Sequence, residues 1–297
     1  MTEGKDFHSG FVTIVGRPNV GKSTLMNAMI GEKVAIISSK PQTTRNRIMG
    51  ILNGDGYQVV FLDTPGLHKP RTQLGEIMVK SARDALEGMD LLIVMADVSE
   101  FGREDRALFE EMKSSNVPRL LVLNKADLVE EAILMRRLQE VSDFGYDEVV
   151  PISAKTGWNL QELKKTILLH LPVGPRYFPE DMITDQPERL ICAEIIREKA
   201  LRHLKDEVPH GIGVEMQRIA PLSDQLTEVY ATIYCEKQSH KGIIIGKNGT
   251  MLRQIGEEAR HDIEKLMGTQ IHLQLWIKVR EDWRNRKGDL KALGYEI

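Results

Sequence analysis

The stretch GRPNVGKS, Gly16 to Ser23, constrains the fold of this chain more than any other feature. It directly follows the β-rich apolar run FVTIV and precedes a segment with helical spacing. Glycines in such a loop let the backbone curl so that its N–H groups face a phosphate, and the helix that follows presents its positive end to the same place. The pattern therefore predicts an α/β domain built around a phosphate site.

Short β-rich runs alternate with amphipathic stretches from residue 11 to about 169, which is typical of a mostly parallel sheet with helices on both faces. The candidate strands are FVTIV, RIMGIL, YQVVFLD, LLIVMADV, RLLVLN and EVVPIS. RIMGIL and YQVVFLD are joined by NGDG, a hairpin signal, so one edge strand should be antiparallel. We predict a six-stranded α/β P-loop domain over residues 1–170.

The C-terminal third has a different organisation. Residues 171–189 contain four of the twelve prolines, and we interpret them as a linker. Over residues 190–297 the candidate elements are a helix, two strands, a glycine-containing stretch, a helix, a strand and a helix, which indicates a smaller α+β domain. In TQIHLQLWIKVR apolar residues alternate with mostly polar ones, so one face of this strand should pack against helices.

Composition and charge exclude several classes of protein. A net charge of −3 argues against an indiscriminate polyanion binder, although a local basic patch can exist within a near-neutral total. No apolar run is long enough to span a membrane, and the first residues lack the apolar segment of a signal peptide. Cys192 and Cys235 are isolated from each other and from any histidine cluster, so neither disulfides nor a zinc site is indicated. We expect a reducing, cytoplasmic location.

The phosphate loop predicts specific roles for its residues. Lys22 should reach the β- and γ-phosphate oxygens, and the Ser23 hydroxyl should ligate Mg²⁺. We assign nucleotide binding to the whole loop and its first helical residues: Gly16, Arg17, Pro18, Asn19, Val20, Gly21, Lys22, Ser23 and Thr24.

The motif NKAD favours guanine over adenine. The Asp127 carboxylate can accept hydrogen bonds from the N1–H and the exocyclic amine of guanine, a pair that adenine does not offer. Asn124 should brace the loop and contact the base edge, while the Lys125 stem covers the ring. SAK, residues 153–155, follows the next candidate strand, and the Ala154 N–H can face guanine O6. The predicted base contacts are Asn124, Lys125, Asp127, Ser153, Ala154 and Lys155.

LDTPG supplies the remaining parts of the site. Asp63 should hold Mg²⁺ through a water, and the Gly66 N–H should contact the γ-phosphate. Hydroxyls of SSKPQTTR can complete the metal coordination when the triphosphate is bound; we favour Thr44 as the ligand, with Thr43 as the alternative. The contacts predicted for LDTPG and the residue after it are Asp63, Thr64, Pro65, Gly66 and Leu67. The groups expected to act on the reacting phosphate are Asn19, Lys22, Thr44 and Gly66. The order and spacing of these motifs place each at the carboxyl end of a strand in one parallel sheet, where such sheets bind ligands.

These motifs, together with GIIIGKNG near the end of the chain, resemble those of the bacterial Era family of GTPases from about Gly10 onward. The resemblance implies hydrolysis of GTP to GDP and phosphate, binding to the 3′ end of small-subunit (16S) ribosomal RNA, and a part in assembling that subunit. It also implies peripheral association with the inner face of the cell membrane, and we expect a monomer.

Leu67 occupies the place where Ras-like switches carry a glutamine that orients the attacking water. A leucine side chain neither donates nor accepts a hydrogen bond, so we expect slow intrinsic hydrolysis and dependence on an activating ligand. Related potassium-activated GTPases carry asparagine at the place of Asn19, so the resemblance implies K⁺ beside the phosphates. The alternatives are that Asn19 bonds only within its loop, and that Arg45 or a partner's arginine supplies the charge.

The stretch GKNG, residues 246–249, lacks the Lys-Ser pair of a nucleotide loop and matches the GXXG loop by which KH domains clamp a nucleic-acid backbone. The element order is that of a type II KH domain. Residues 237–256 contain four lysines and arginines and no Asp or Glu, which predicts a local positive patch. We assign RNA binding to Lys241, Gly246, Lys247, Asn248, Gly249 and Arg253.

A second basic cluster near the chain end is interleaved with Trp276 and Trp283. We interpret it as a solvated helix face with both aromatic rings packed beneath it. Its basic members are Lys278, Arg280, Arg284, Arg286 and Lys287. A competing hypothesis for the C-terminal half as a whole is a GTP-gated scaffold that binds a protein or a membrane surface instead of RNA.

Overall fold

In a computed structural model of the chain, the structure describes residues 6–38, 40, 43–66, 70 and 72–295. The described residues form two compact units. One lies within Met1–Ala35, Thr44–His68 and Met78–Asp185, and the other within Ile36–Thr43, Lys69–Ile77 and Gln186–Ile297. The domain boundaries at residues 170 and 189 stay a prediction.

The N-terminal half is a six-stranded α/β fold. Its sheet has the order β2-β3-β1-β4-β5-β6, and the β2–β3 hairpin is antiparallel while the remaining neighbours pair in parallel. This confirms the predicted fold and its antiparallel edge strand. The elements are β1 (His8–Gly16), α1 (Lys22–Ile30), β2 (Ile48–Gly54), β3 (Tyr57–Asp63), α2 (Gln73–Asp84), β4 (Leu91–Asp97), α3 (Arg103–Met112), β5 (Arg119–Asn124), α4 (Glu131–Val141), β6 (Glu148–Pro151) and α5 (Leu160–His170).

The central strands read as unbroken apolar runs because both faces of this sheet are covered. All seven residues of β4 are buried. Neighbouring residues of one strand belong to cores on opposite faces: Ile93 packs in one apolar cluster and Val94 in the other. The carboxyl ends of these strands carry the predicted site residues.

The proline-rich segment predicted as a linker is held along the β2–β3 edge. The buried Gln58 amide accepts hydrogen bonds from the N–H groups of Tyr177 and Phe178 at 2.8 and 3.0 Å, and donates to the Phe178 carbonyl at 2.9 Å. Further along, the Ile51 N–H donates to the Ile183 carbonyl at 2.8 Å. The Ile51 bond satisfies an outward-facing N–H of the edge strand β2, while Gln58 binds the segment to the neighbouring strand β3, so the segment covers part of that edge.

The C-terminal unit has the element order of a type II KH domain, as predicted. Its sheet has the order β7-β8-β9, antiparallel and then parallel. Ile255, Ala259 and Ile263 pack with Ile271 and Ile277 in its apolar core. Its elements are α6 (Glu188–His203), β7 (Gly213–Ser223), β8 (Leu226–Cys235), α7 (Gln238–Ile245), α8 (Thr250–Met267), β9 (Gln270–Val279) and α9 (Lys287–Ala292). Within the ranges that the structure describes, none of the helices has the length and apolar character needed to cross a bilayer.

Candidate nucleotide and nucleic-acid sites

The phosphate loop connects Gly16 at the end of β1 to Lys22 at the start of α1. Asn19 and Gly21 have φ angles of 66° and 103°, in the left-handed region. A Cβ atom on Gly21 would lie 2.3 Å from Nδ2 of Asn124. Glycine is required here both for its backbone angle and for the close approach of that side chain.

The Lys22 side chain is buried inside the loop. Its Nζ donates to the carbonyl oxygens of Gly16 and Arg17, each at 3.0 Å. Burial lowers the pKa of Lys22 to about 8, and the neighbouring Asp63 carboxylate partly opposes that shift. Phosphate oxygens at this position would favour the charged amine, which is the state needed to stabilise a polyphosphate.

The three residues predicted to hold a metal are joined by hydrogen bonds, because the two hydroxyls both donate to one oxygen of the carboxylate. Ser23 Oγ donates to Asp63 Oδ2 at 2.6 Å, and Thr44 Oγ1 donates to the same atom at 3.2 Å. Burial raises the pKa of Asp63, and Lys22 opposes the shift. The other oxygen, Oδ1, is buried and has no hydrogen-bond partner among the described residues. Thr43 Oγ1 donates instead to the Lys40 carbonyl at 2.6 Å.

This donor set fits Mg²⁺. Magnesium sites in nucleotide-binding proteins use one or two carboxylates together with substrate phosphates. Here one carboxylate with an unpartnered oxygen lies beside two hydroxyls. The part of the chain that the structure describes contains no group of three or more His, Cys, Asp or Glu side chains suited to a metal ion, so this site is the candidate that remains.

Asn124 joins the phosphate loop to the base-binding loops. Its Nδ2 donates to the Val20 carbonyl at 2.8 Å, and its Oδ1 accepts from the Ala154 N–H at 2.9 Å. The Ala154 N–H was expected to face guanine O6, but in this structure it is bonded to Asn124. Guanine O6 would therefore accept a hydrogen bond either from the Ala154 N–H, shared with Asn124, or from the next backbone N–H, that of Lys155.

Lys125 has φ 65°, in the left-handed region, and its Nζ forms an ion pair with Asp97 at 2.5 Å. Burial alone would raise the pKa of Asp97, but hydrogen bonds from Lys125 and Ser99 outweigh it and hold that pKa below its usual value. The Asp127 carboxylate is exposed, as guanine recognition requires. Sequence reasoning missed Asp97, although a carboxylate at the end of β4 was a usable signal.

The SAK segment is a tight turn. The buried Ser153 hydroxyl accepts from the Thr156 N–H at 3.2 Å, and the Ser153 N–H donates to the Trp158 carbonyl at 3.1 Å. The turn thereby fixes the backbone of Ala154, while the Lys155 side chain is exposed.

The Arg17 side chain is bound by the start of α3 and leaves only its backbone to the loop. Its guanidinium pairs with Glu104 at 2.8 Å and with Asp105 at 3.0 Å. This anchor was also missed, because nothing local to GRPNVGKS shows which helix lies beside it.

The LDTPG segment approaches the phosphate loop closely. The Thr64 hydroxyl donates to the Ile14 carbonyl at 2.9 Å, and a Cβ on Gly66 would lie 3.0 Å from Pro18 Cγ. Pro65 is buried beside them. The prediction for Leu67 lies outside the described residues. Arg45, the alternative source of positive charge, is buried.

In the second unit, the GXXG loop forms an exposed turn at the start of α8. Gly246 and Gly249 have φ angles of 73° and 76°, and Asn248 between them has φ 53°. A Cβ on Gly246 would lie 2.7 Å from Met251 Cβ, whereas a Cβ on Gly249 would meet nothing within 4 Å. The backbone at Gly249 is thus open to a ligand at the positive end of an 18-residue helix.

A groove of about 490 Å³ runs from this loop along α8 and β9. Lys247, Asn248 and Arg253 are exposed beside it and Lys241 is half-buried. The lining residues are Gly249, Leu252, Arg253, Gly256, Glu257, Arg260, Leu273 and Leu275. An apolar floor with cationic sides suits unstacked bases on a phosphate backbone.

The interpretation of the second basic cluster is wrong in part. Trp283 is fully buried and donates its Nε1–H to the Gly211 carbonyl at 2.9 Å, as a ring packed in the core should. Trp276 instead lies on β9 with 42% of its surface exposed. Arg280 pairs with Asp289 at 3.2 Å and Arg284 pairs with Glu236 at 2.6 Å, so these arginines are ion-paired and do not form a solvated helix face.

The fold and these two sites define a P-loop GTPase with a C-terminal KH domain. Residues 11–125 match the family model for a 50S ribosome-binding GTPase, and residues 207–284 match the model for a KH domain. The chain belongs to the Era family of GTPases. It is 53% identical to GTPase Era of Alkaliphilus metalliredigens (strain QYMF), over 98% of this chain and 99% of that protein. It is 51% identical to GTPase Era of Clostridioides difficile (strain 630), over 97% and 99%.

Two solved structures show the same fold at 42% identity, each covering 98% of this chain and 100% of the other. One is an Aquifex aeolicus Era variant bound to GDP and AlF4⁻, with a TM-score of 0.93. The second is Era in complex with MgGDPNP and nucleotides 1506–1542 of 16S ribosomal RNA, with a TM-score of 0.92. The chain is therefore a GTPase.

Proposed function

We propose that this protein is a GTP-dependent switch that binds 16S ribosomal RNA through its KH domain and assists assembly of the small ribosomal subunit. The observation that carries the proposal is the GXXG loop, whose open Gly249 backbone adjoins a groove flanked by cations. The complex of a relative with 16S ribosomal RNA supports the choice of RNA. We further propose a cytoplasmic monomer that associates peripherally with the inner face of the membrane, which rests on the family resemblance alone.

In the nucleotide site we propose that Lys22 and the loop N–H groups bind the β- and γ-phosphates, and that Ser23, Thr44 and Asp63 hold Mg²⁺. When bound, Mg²⁺ supplies positive charge that neutralises the phosphate oxygens. Asp127 selects guanine. The Gly66 N–H contacts the γ-phosphate, since this glycine lies close to Pro18 of the phosphate loop.

Potassium is proposed as the second cation. Asn19 is exposed in the phosphate loop, and its side-chain carbonyl is a neutral ligand suited to a monovalent ion. The Arg17 guanidinium is paired with Glu104 and Asp105 and Arg45 is buried, which favours a cation held by Asn19 over an arginine finger from either residue.

The competing hypothesis is a GTP-gated scaffold that binds a protein or membrane surface. RNA binding through several phosphate contacts should weaken steeply with salt. Binding releases counterions from the RNA, and the free energy gained by that release decreases as the salt concentration rises. An apolar interface should not weaken in this way. The test measures affinity for the RNA of nucleotides 1506–1542 at about 50 and 200 mM salt; a loss on the order of 10²-fold or more supports RNA clamping. Salt-independent affinity, or none, would favour the scaffold.

A further inference from the structure

The KH sheet carries a pair of aromatic rings on the face opposite its helices. The rings of Tyr230 and Trp276 meet edge to face, with centroids 5.4 Å apart and an interplanar angle of 87°. The alternate residues of the same strands, such as Val229 and Ile277, lie in the core beneath α6 and α8. Tyr230 thus fixes the orientation of a tryptophan ring that is 42% exposed.

Two cationic residues lie on the same face of the sheet as this ring. Arg218 lies opposite Tyr230 on the neighbouring strand and is held by Glu228 at 2.9 Å, while the Tyr230 hydroxyl donates to the same carboxylate. Lys278, two residues beyond Trp276 on the same face, is exposed. The Glu228 charge is thereby neutralised, and the lysine is left facing solvent.

This face is continuous with the proposed RNA groove through β9. That strand is at the edge of the sheet. Its residues Leu273 and Leu275 line the groove, and Trp276 follows on the opposite face. A GXXG groove clamps about four nucleotides. A longer single strand that leaves the groove across the β9 edge therefore meets Trp276 next.

Together these features favour nucleic acid over an apolar partner. An exposed indole held against a second ring, with a solvent-facing lysine on the same face of the strand, is an arrangement that can stack an unpaired base and contact its phosphate. We propose that the β9 face is a second contact surface for single-stranded RNA, in which Trp276 stacks a base outside the groove and Lys278 contacts the backbone. This inference rests on the proposed RNA-binding function and extends it.

The test uses the full chain and nested fragments of nucleotides 1506–1542 of 16S ribosomal RNA. The shortest fragment whose binding is weakened by Gly249→Asp defines the groove ligand. Trp276→Ala should leave affinity for that fragment within about twofold and lower affinity for longer fragments by roughly 5- to 100-fold. Trp276→Phe, which keeps a stacking ring, should restore most of the loss. Leu222→Ala, which removes a 53% exposed apolar side chain from the same sheet, is the matched control and should change neither affinity.

Equal affinity of Trp276→Ala and the parent for every fragment would overturn the second surface and leave the groove assignment intact. An equal loss for short and long fragments would also overturn it, because the effect would then arise in the groove or the fold. If the parent bound none of these RNAs, both the inference and the proposed function would be wrong.

Discussion

Gly21 and Asn124 are so close that a Cβ on residue 21 would lie 2.3 Å from the Asn124 amide nitrogen. The same amide nitrogen donates a hydrogen bond to the Val20 carbonyl. The phosphate loop and the guanine loop therefore fit together only because residue 21 has no side chain.

We expect Gly21→Ala to lower GTP affinity by on the order of 100-fold. The left-handed backbone angle strains any other residue, and the new methyl group displaces Asn124 from its hydrogen bonds. Gly31→Ala is the control, since Gly31 has φ 86° but a Cβ there meets nothing within 4 Å. It should cost about 1 kcal/mol of stability with little change in affinity. Similar GTP affinities of the two variants in a titration would contradict the packing argument.

Asp127→Asn should change the base preference from guanine to xanthine. Xanthine has a carbonyl where guanine has its exocyclic amine, and an asparagine amide can donate to it whereas a carboxylate cannot. Competition binding with GTP, XTP and ATP measures the change. Equal binding of ATP and GTP by the parent protein would show that NKAD does not select the base.

Gly249→Asp should abolish RNA binding and leave GTP affinity intact, because an acidic side chain would stand where a phosphate approaches the backbone. Gly268→Asp is a matched control at the other end of α8, with φ 64° and equally open surroundings. A filter-binding assay should separate the two variants. Unchanged RNA affinity in Gly249→Asp would remove the groove from the RNA site.

Hydrolysis should be faster in K⁺ than in Na⁺, and Asn19→Ala should remove most of that difference. The transition state spreads negative charge over the phosphoryl oxygens, and a cation held by the Asn19 carbonyl would offset it. Single-turnover rates at equal ionic strength provide the measurement. Equal parental rates in the two salts would instead point to an arginine, either Arg45 or one from a partner.

The six strands, the antiparallel edge strand and the motif positions could be predicted, because each motif directly follows its own apolar run and a hairpin signal joins two of the runs. The partners of Arg17 and Lys125 could not, since Asp105 and Asp97 come from elements whose neighbours are set by the sheet order. Trp276 shows a different limit. The alternation along β9 already placed it on the polar face, but the cluster of nearby charges suggested a ring packed beneath them, and the alternation was the better guide.

The hydrogen bonds from Gln58 to the proline-rich segment bear on how the N-terminal unit can be cut. A fragment that ends at His170 would strip residues 175–184 from the β2 edge and leave the buried Gln58 amide without the backbone groups of Tyr177 and Phe178. An uncovered edge strand exposes unpaired N–H and C=O groups that can pair with strands of other molecules, so the truncated fragment should aggregate. A fragment that ends at Asp185 keeps its own edge covered and should remain in solution as a single folded species.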